Sequence, residues 1–485
     1  MSNSLKKNFL FNSILTTSNY IFPLLVYPYI TRVLGVANIG LCDFVDSIIN
    51  YFILFSMMGI NIMGTREIAK AKNNKEDLNK VFSSLFVINL TATLIALLVL
   101  VAVSFLVPKL HEHLNLMLLG VVKLVFNFLL INWFFQGMED FKYVTIRTIV
   151  VKTVYVISIF IFIRGTEDYA IYYLLTVLMV VVNAIINLAY SKRIVTFTIT
   201  GMELKPYLKT YFILGLYLLL CSMYTTFNIA YLGFVCDNEQ VGYYTSAAKL
   251  FNIALAFFTA FSTVALPRLS IYIAENNFEK YKSMLNSCVS VLVSLAVPII
   301  LFCVFNSYTI INILAGSGYE GAVLPLCIVM PLMFIIGYEQ ILIVQGLMPL
   351  QKDRDILTNS LIGAGAGVLL NLVLVSKLGA IGSSIVWILS ETIVMICAQY
   401  FMKKYVNLKF PGLVLVKQML GYLPLTLCFV FLHNYIKSQM IEFLLTGVLI
   451  VTYFIIVNCI VFKNEIIIKT LHTIRAKLLS NSSQI

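Results

Sequence analysis

Charge is scarce in this chain. Of 485 residues only 12% are Asp, Glu, Lys or Arg, and 60% are hydrophobic. A soluble domain carries about 25% charged residues, so that class is excluded. Histidine is nearly absent, with four residues. Only His111 and His113 lie close together, and a solvated loop accounts for them better than a metal does. The nine cysteines form no CxxC pair and fall almost entirely within apolar stretches, where cysteine behaves as a small hydrophobe. No disulfide framework, metal site or catalytic group is expected. Long polar stretches are missing too, so there is no loop large enough to hold the acceptor and catalytic groups of a membrane-bound glycosyltransferase, polymerase or ligase.

What is present is hydrophobic helix. Mean hydropathy is +0.94, and about 20 apolar residues suffice to cross a bilayer as helix. The sequence predicts an all-α polytopic membrane protein with about fourteen spans: 9–34, 39–63, 81–107, 114–137, 145–164, 169–190, 208–234, 242–266, 284–306, 321–347, 356–376, 379–402, 411–432 and 442–462. Twelve spans would give the same parity. The first follows Lys6 and Lys7 but is too long for a signal sequence and has no A-x-A site, so it reads as a retained helix.

The 34 lysines and arginines are distributed by side. Alternate connections and both termini carry most of them, for example Arg66, Lys70, Lys72, Lys75 and Lys80 after the second span, and Lys142, Arg147 and Lys152 around the start of the fifth. The other set of loops holds only Lys109, Arg164, Lys377 and Lys437. Basic residues collect on the cytoplasmic side, which places both termini there. This asymmetry explains the net charge of +12 without nucleic acid. It leaves over Arg32, Lys123, Lys249 and Lys417; the last is near an inner helix end, where it snorkels.

Ionisable groups at membrane depth are costly and usually face a partner or a water-filled cavity. Four spans carry polar stripes at helical spacing. Span one has Asn12, Thr16, Asn19 and Pro23. Span two has Asp43, Ser47 and Asn50, with Asp46 beside them and Asn61 further on. Span seven has Tyr217, Cys221, Tyr224, Asn228 and Tyr231, and span eight has Thr245, Lys249, Asn252, Thr259 and Thr263. Each has a plainer alternative: amides and hydroxyls as interhelical glue, Asp43 as an acid near a helix start, Lys123 and Lys249 snorkelling. The span-seven stripe runs about 21 Å along its axis, too far for a single interfacial belt. Glu339 and Glu391 are candidate ion-coupling carboxylates, or structural partners of neighbouring polar groups.

Spans seven and eight echo spans one and two. Leu34-Gly35 then Ile39-Gly40 opens span two, and Leu232-Gly233 then Val241-Gly242 opens span eight. Internal repeats of this kind are common in secondary transporters, with the site at the repeat interface. The echo divides the chain into an N-terminal lobe (1–200), a C-terminal lobe (201–405) and two extra helices with a tail (406–485).

Buried cations call for an anion such as phosphate, and tyrosines with amides suit hydroxyl-rich material. The run from Tyr27 to Gly35 (YPYITRVLG), the following Ile39-Gly40, and the YF…GI…GTREIAK stretch ending at Lys70 resemble the polysaccharide transporter branch of the multidrug/oligosaccharidyl-lipid/polysaccharide exporter superfamily. Within it the chain resembles bacterial O-antigen or capsule repeat-unit flippases. The resemblance implies a V-shaped, two-lobed transporter of the inner membrane whose central cavity is lined by spans one, two, seven and eight. It implies alternating access, an undecaprenyl-pyrophosphate-linked oligosaccharide as substrate, and no cofactor beyond coupling to H+ or Na+. Arg32, Lys123 and Lys249 would carry the pyrophosphate. From the polar stripes, Asn19, Tyr217, Tyr224, Asn228 and Asn252 are candidates to meet the remainder; Asp43, Asp46, Glu339 and Glu391 are the ion-coupling candidates, with Asp43 and Asp46 open between coupling and a structural role. A polymerase and a chain-length regulator are implied as partners. A drug or cation antiporter of the same superfamily is the alternative, disfavoured by the buried bases. A lipid II flippase is another, disfavoured only by the first hairpin.

Overall fold

The computed structural model describes residues 3–462 and Ile468, with side chains described except at 3–6, 9 and 256–267. The basic tail residues Lys463, Lys469, Arg475 and Lys477 and the stripe residues Thr259 and Thr263 therefore lie outside the described set. Among the described residues there is no strand. The helices are α1 (Asn3–Met57), α2 (Ile60–Ala71), α3 (Lys75–Leu106), α4 (Pro108–His111), α5 (Leu114–Phe128), α6 (Asn132–Gly137), α7 (Phe141–Phe162), α8 (Tyr169–Ser191) and α9 (Lys205–Ser222). They continue with α10 (Thr226–Val235), α11 (Asn238–Ala274), α12 (Phe278–Phe305), α13 (Ser307–Leu314), α14 (Val323–Val329), α15 (Leu332–Leu342), α16 (Asp353–Val406), α17 (Gly412–Tyr435) and α18 (Gln439–Ile456).

Ten helices among the described residues are long and apolar enough to cross a membrane, or eleven if the α9–α10 pair, bent by 51°, is one span. Sequence reading expects more because the two longest helices each hold two apolar stretches. In α1 these meet at Gly35 (φ 76°) and in α16 at Gly379 (φ 54°). Positive φ is open to glycine without steric cost. The chain is a multi-pass membrane protein.

Two compact units are present. The first is Met1–Ser246, Leu314–Gly321 and Gly367–Val386; the second is Ala247–Ile313, Ala322–Ala366 and Trp387–Ile485. These units do not follow the division at 200 and 405. Short pieces of the later chain pack with the first 246 residues, and α11 and α16 each contribute to both units.

The core of the first unit is aromatic. Trp133, Phe134 and Phe135 of α6 are fully buried, and Phe82 of α3 stacks on Trp133 with ring centroids 5.7 Å apart. Small residues let α2 and α6 approach: a Cβ on Gly64 would lie 2.8 Å from the Trp133 ring, and one on Gly137 would lie 2.7 Å from Ile68. This packing holds two irregular joints. Met58 (φ 35°) separates α1 from α2, and Ile131 (φ 39°) ends the break between α5 and α6. Non-glycine residues held there cost about 1–3 kcal/mol each. Burial of each large apolar side chain in the surrounding cluster returns roughly 1.5–3 kcal/mol. The backbone groups freed at the joints are satisfied by neighbouring helices. The Gly59 N–H donates to Tyr211 O (3.2 Å), the Tyr211 hydroxyl donates to Ser56 O (2.8 Å), and the Asn187 amide donates to Leu130 O. Within a membrane such groups have no water to fall back on.

The glycines of the sequence echo meet each other. A Cβ on Gly40 would lie 1.8 Å from Asn238 O and 2.7 Å from Gly242 N; one on Gly242 would lie 2.4 Å from Val36 O. The chain around Gly40 and the chain around Gly242 thus approach backbone to backbone.

In the second unit the Tyr281 hydroxyl donates to Gln345 O and Gly346 O, both 3.1 Å away, at a π-helical turn over Ile343–Leu347. The extra helices dock on α12 and the turn after it, through Gln418 Nε2 to Ser294 Oγ (3.1 Å) and Thr446 Oγ1 to Asn306 Oδ1 (3.2 Å).

Candidate functional site

Asp46 pairs with Lys123 of α5. The same carboxylate accepts from Asn50 Nδ2 (2.9 Å) and from the Tyr173 hydroxyl (3.3 Å), and Lys123 Nζ also donates to Asn50 Oδ1 (3.4 Å). Three helices converge because Asp46 and Asn50 stand one turn apart on α1, facing Lys123 on α5 and Tyr173 on α8. The Lys123 side chain is 14% exposed and that of Asp46 31%, so the pair is screened from solvent only in part. Lys123 is therefore held in place by a carboxylate and does not snorkel away.

Asp43, three residues earlier, turns to a different neighbour and accepts from Thr245 Oγ1 (2.6 Å). Arg32 is exposed, donates from Nη1 to Pro28 O (2.6 Å) and lays its stem across the turn at Gly316. Asn19 is exposed and accepts from Lys152 Nζ (2.6 Å). The structure thus brings Asp46 and Lys123 together, sets Asp43 against Thr245 and sets Asn19 against Lys152.

The span-seven stripe is interrupted. α9 ends at Ser222 and α10 begins at Thr226, so Tyr217 and Asn228 lie on different helical segments. Tyr217 is half-buried, and Tyr224 is buried. Asn228 is fully buried and donates to the Tyr244 hydroxyl (2.9 Å) and to Ser383 O (2.8 Å). It joins α10 to α11 and α16, which is the glue alternative for that position. In the second unit Lys249 is half-buried and Asn252 exposed.

Glu339 of α15 and Glu391 of α16 do meet. Glu391 is buried, shares a hydrogen bond with Glu339 and accepts from Trp387 Nε1 (3.2 Å). Among the described residues no three His, Cys, Asp or Glu are grouped to hold a metal ion.

Two basic residues counted with the loops lie inside α7. Lys152 is eleven residues into that helix, bonded to Asn19 and 5.8 Å from the centre of the Phe22 ring. Arg147 is buried, donates to Thr148 Oγ1 (3.0 Å) and lies 5.9 Å from the Tyr143 ring centre. Their sequence position, close behind Lys142, masks them as loop charges. Tyr173 was equally hidden, since one tyrosine in an apolar helix carries no periodic signal.

Residues 5–273, over half of the chain, match the family described as polysaccharide biosynthesis protein. The chain belongs to that family. It is 27% identical to an Escherichia coli protein named as an O-antigen transporter, across 81% of this chain and 95% of that one. Its fold is similar to that of the lipid II flippase MurJ in an inward closed conformation, with TM-score 0.78 at 17% identity over 94% of this chain and 100% of the other. It is also similar to an inward-facing multidrug resistance MATE transporter of the MOP superfamily, with TM-score 0.65 at 14% identity over 80% and 94%. Both likenesses are of fold. The expected polysaccharide family and the all-helical fold, like that of MurJ and MATE, are borne out.

Proposed function

We propose that this chain is a flippase. It moves an undecaprenyl-pyrophosphate-linked oligosaccharide repeat unit from the cytoplasmic to the outer leaflet of the inner membrane, for O-antigen or capsular polysaccharide synthesis. Both termini are cytoplasmic, and a two-lobed chamber opens alternately to each side of the membrane. The observation that carries the reading is the Asp46–Lys123 pair with Asn50 and Tyr173. It keeps a cation inside an apolar helix with a counter-ion that an anion can replace. Arriving pyrophosphate takes Lys123 from Asp46 and releases that carboxylate as a coupling site. Arg32 and Lys249 meet the same group at other stages, and the tyrosines Tyr217 and Tyr224 with Asn252 and Asn19 face the saccharide. The Glu339–Glu391 pair is the second coupling site. A membrane potential negative inside favours outward movement of the anion by about 2.3 kcal/mol per charge per 100 mV.

The name of the Escherichia coli relative supports the substrate class. The test is leaflet transfer in liposomes holding the purified chain and a polyprenyl-pyrophosphate oligosaccharide. Transfer that Lys123→Gln abolishes is the expected result. Dye efflux without lipid transfer would sink the proposal in favour of a drug antiporter. Transfer of lipid II alone would restrict it to peptidoglycan precursors.

A further inference from the structure

A cavity of about 180 Å³ lies in the first unit where two chain breaks come close. Its lining includes Met57 and Met58 at the end of α1, Asn61 of α2, Asn127 of α5, Asn132 of α6 and Leu218 of α9. The breaks are those at Met58 and at Leu129–Ile131. Irregular backbone at membrane depth occurs where it is buried in protein or lines a cavity, and discontinuous helices commonly mark binding sites in transporters. The lining contains no charged side chain, so the cavity does not select an ion. It offers three amides against a thioether and aliphatic wall.

The side chains of Asn61 and Asn127 make no hydrogen bond to another described residue, whereas Asn132 Oδ1 accepts weakly from Asn187 (3.4 Å). An amide both donates and accepts, as does a sugar hydroxyl. Ligand pockets for drug-sized molecules run to roughly 300–1,000 Å³, and this one is smaller. Asn127 stands four residues after Lys123 on α5, about 6 Å along the axis, and Ile53 and Leu54 of the lining follow Asn50 on α1 at the same step. The cavity is therefore the next compartment along from the Asp46–Lys123 pair.

We infer that this cavity is a sugar subsite. It takes one uncharged, hydroxyl-bearing ring adjoining a phosphate held at Lys123, with Asn61 and Asn127 as its hydrogen-bonding residues. The inference rests on the flippase reading and adds to it the place where the first sugar is recognised.

The test compares binding of two probes to the full chain in nanodiscs: a polyprenyl pyrophosphate, and the same lipid carrying one N-acetylhexosamine. The wild type should bind the glycosylated probe more tightly. Asn61→Leu combined with Asn127→Leu should weaken that probe about tenfold, which is ~1.4 kcal/mol, and so remove its advantage over the bare lipid. The single substitution Asn61→Leu, at an exposed position, should give part of the loss and guards against misfolding of the pair. Equal affinity of the wild type for both probes would overturn the sugar subsite while the phosphate site stood. So would an advantage that survives both substitutions. Binding of neither probe would overturn the flippase reading itself, and the subsite with it.

Discussion

Removing the carboxylate of Asp46 should leave Lys123 as a poorly compensated cation between helices. Breaking a fully buried ion pair by deleting one partner costs roughly 3–5 kcal/mol, and an exposed pair is worth about 0–1 kcal/mol. With side chains 14% and 31% exposed, the Asp46–Lys123 pair falls between these limits. Asp46→Asn should cost about 2 kcal/mol. Lys123→Met should cost less, about 1 kcal/mol, because Asp46 keeps the Asn50 and Tyr173 donors and a charge-assisted hydrogen bond contributes roughly 1.5–3 kcal/mol. Combining the two should restore most of the loss, since neither charge is then left alone. The chain has two tryptophans, Trp133 in the first unit and Trp387 in the second. In a Trp387→Phe background, fluorescence of Trp133 during denaturant unfolding in detergent follows the first unit alone. A coupling energy within about 0.3–0.5 kcal/mol of zero, the range expected of independent sites, would refute the reasoning. The order of the two single losses is a second check, as larger destabilisation by Lys123→Met would mean that the carboxylate is the group in need of rescue.

Three further outcomes follow from packing and charge. Glu391→Gln should leave leaflet transfer insensitive to an imposed proton gradient, measured in vesicles, because the buried carboxyl that meets Glu339 can then no longer exchange a proton. Gly64→Ala should destabilise the first unit by about 1–3 kcal/mol, the usual cost of overpacking, as its Cβ meets the Trp133 ring at 2.8 Å; a fluorescence unfolding curve reads it. Gly40→Ala should cost at least as much as Gly64→Ala in the same assay, since the obstacle is the Asn238 carbonyl at 1.8 Å and backbone yields less readily than a side chain.

Sequence alone was sufficient wherever one-dimensional physics decides. The membrane class follows from composition, because a chain 60% hydrophobic and 12% charged satisfies its backbone in lipid only as helix or closed barrel. The hairpin turn at Gly35 and the echo between Gly40 and Gly242 were legible because only glycine permits that conformation and that approach. Lys123 and Asp46 stood out because charge inside an apolar run has few explanations. What sequence could not give was pairing in space. Asp43 and Asp46 are three residues apart, yet one meets Thr245 and the other Lys123; periodicity names a face and leaves its neighbour open. Asn228 shared a stripe with Tyr217, but the break at 223–225 separates them, and no proline or glycine announces that break or the one at Leu129–Ile131. The joint at Leu129–Ile131 and the one at Met58 are held by Asn187, Tyr211 and the aromatic cluster around Trp133, which supply hydrogen bonds and burial from distant parts of the chain. The meeting of Glu339 with Glu391 has the same origin: the two are far apart in sequence, and only the packing of α15 against α16 brings them together.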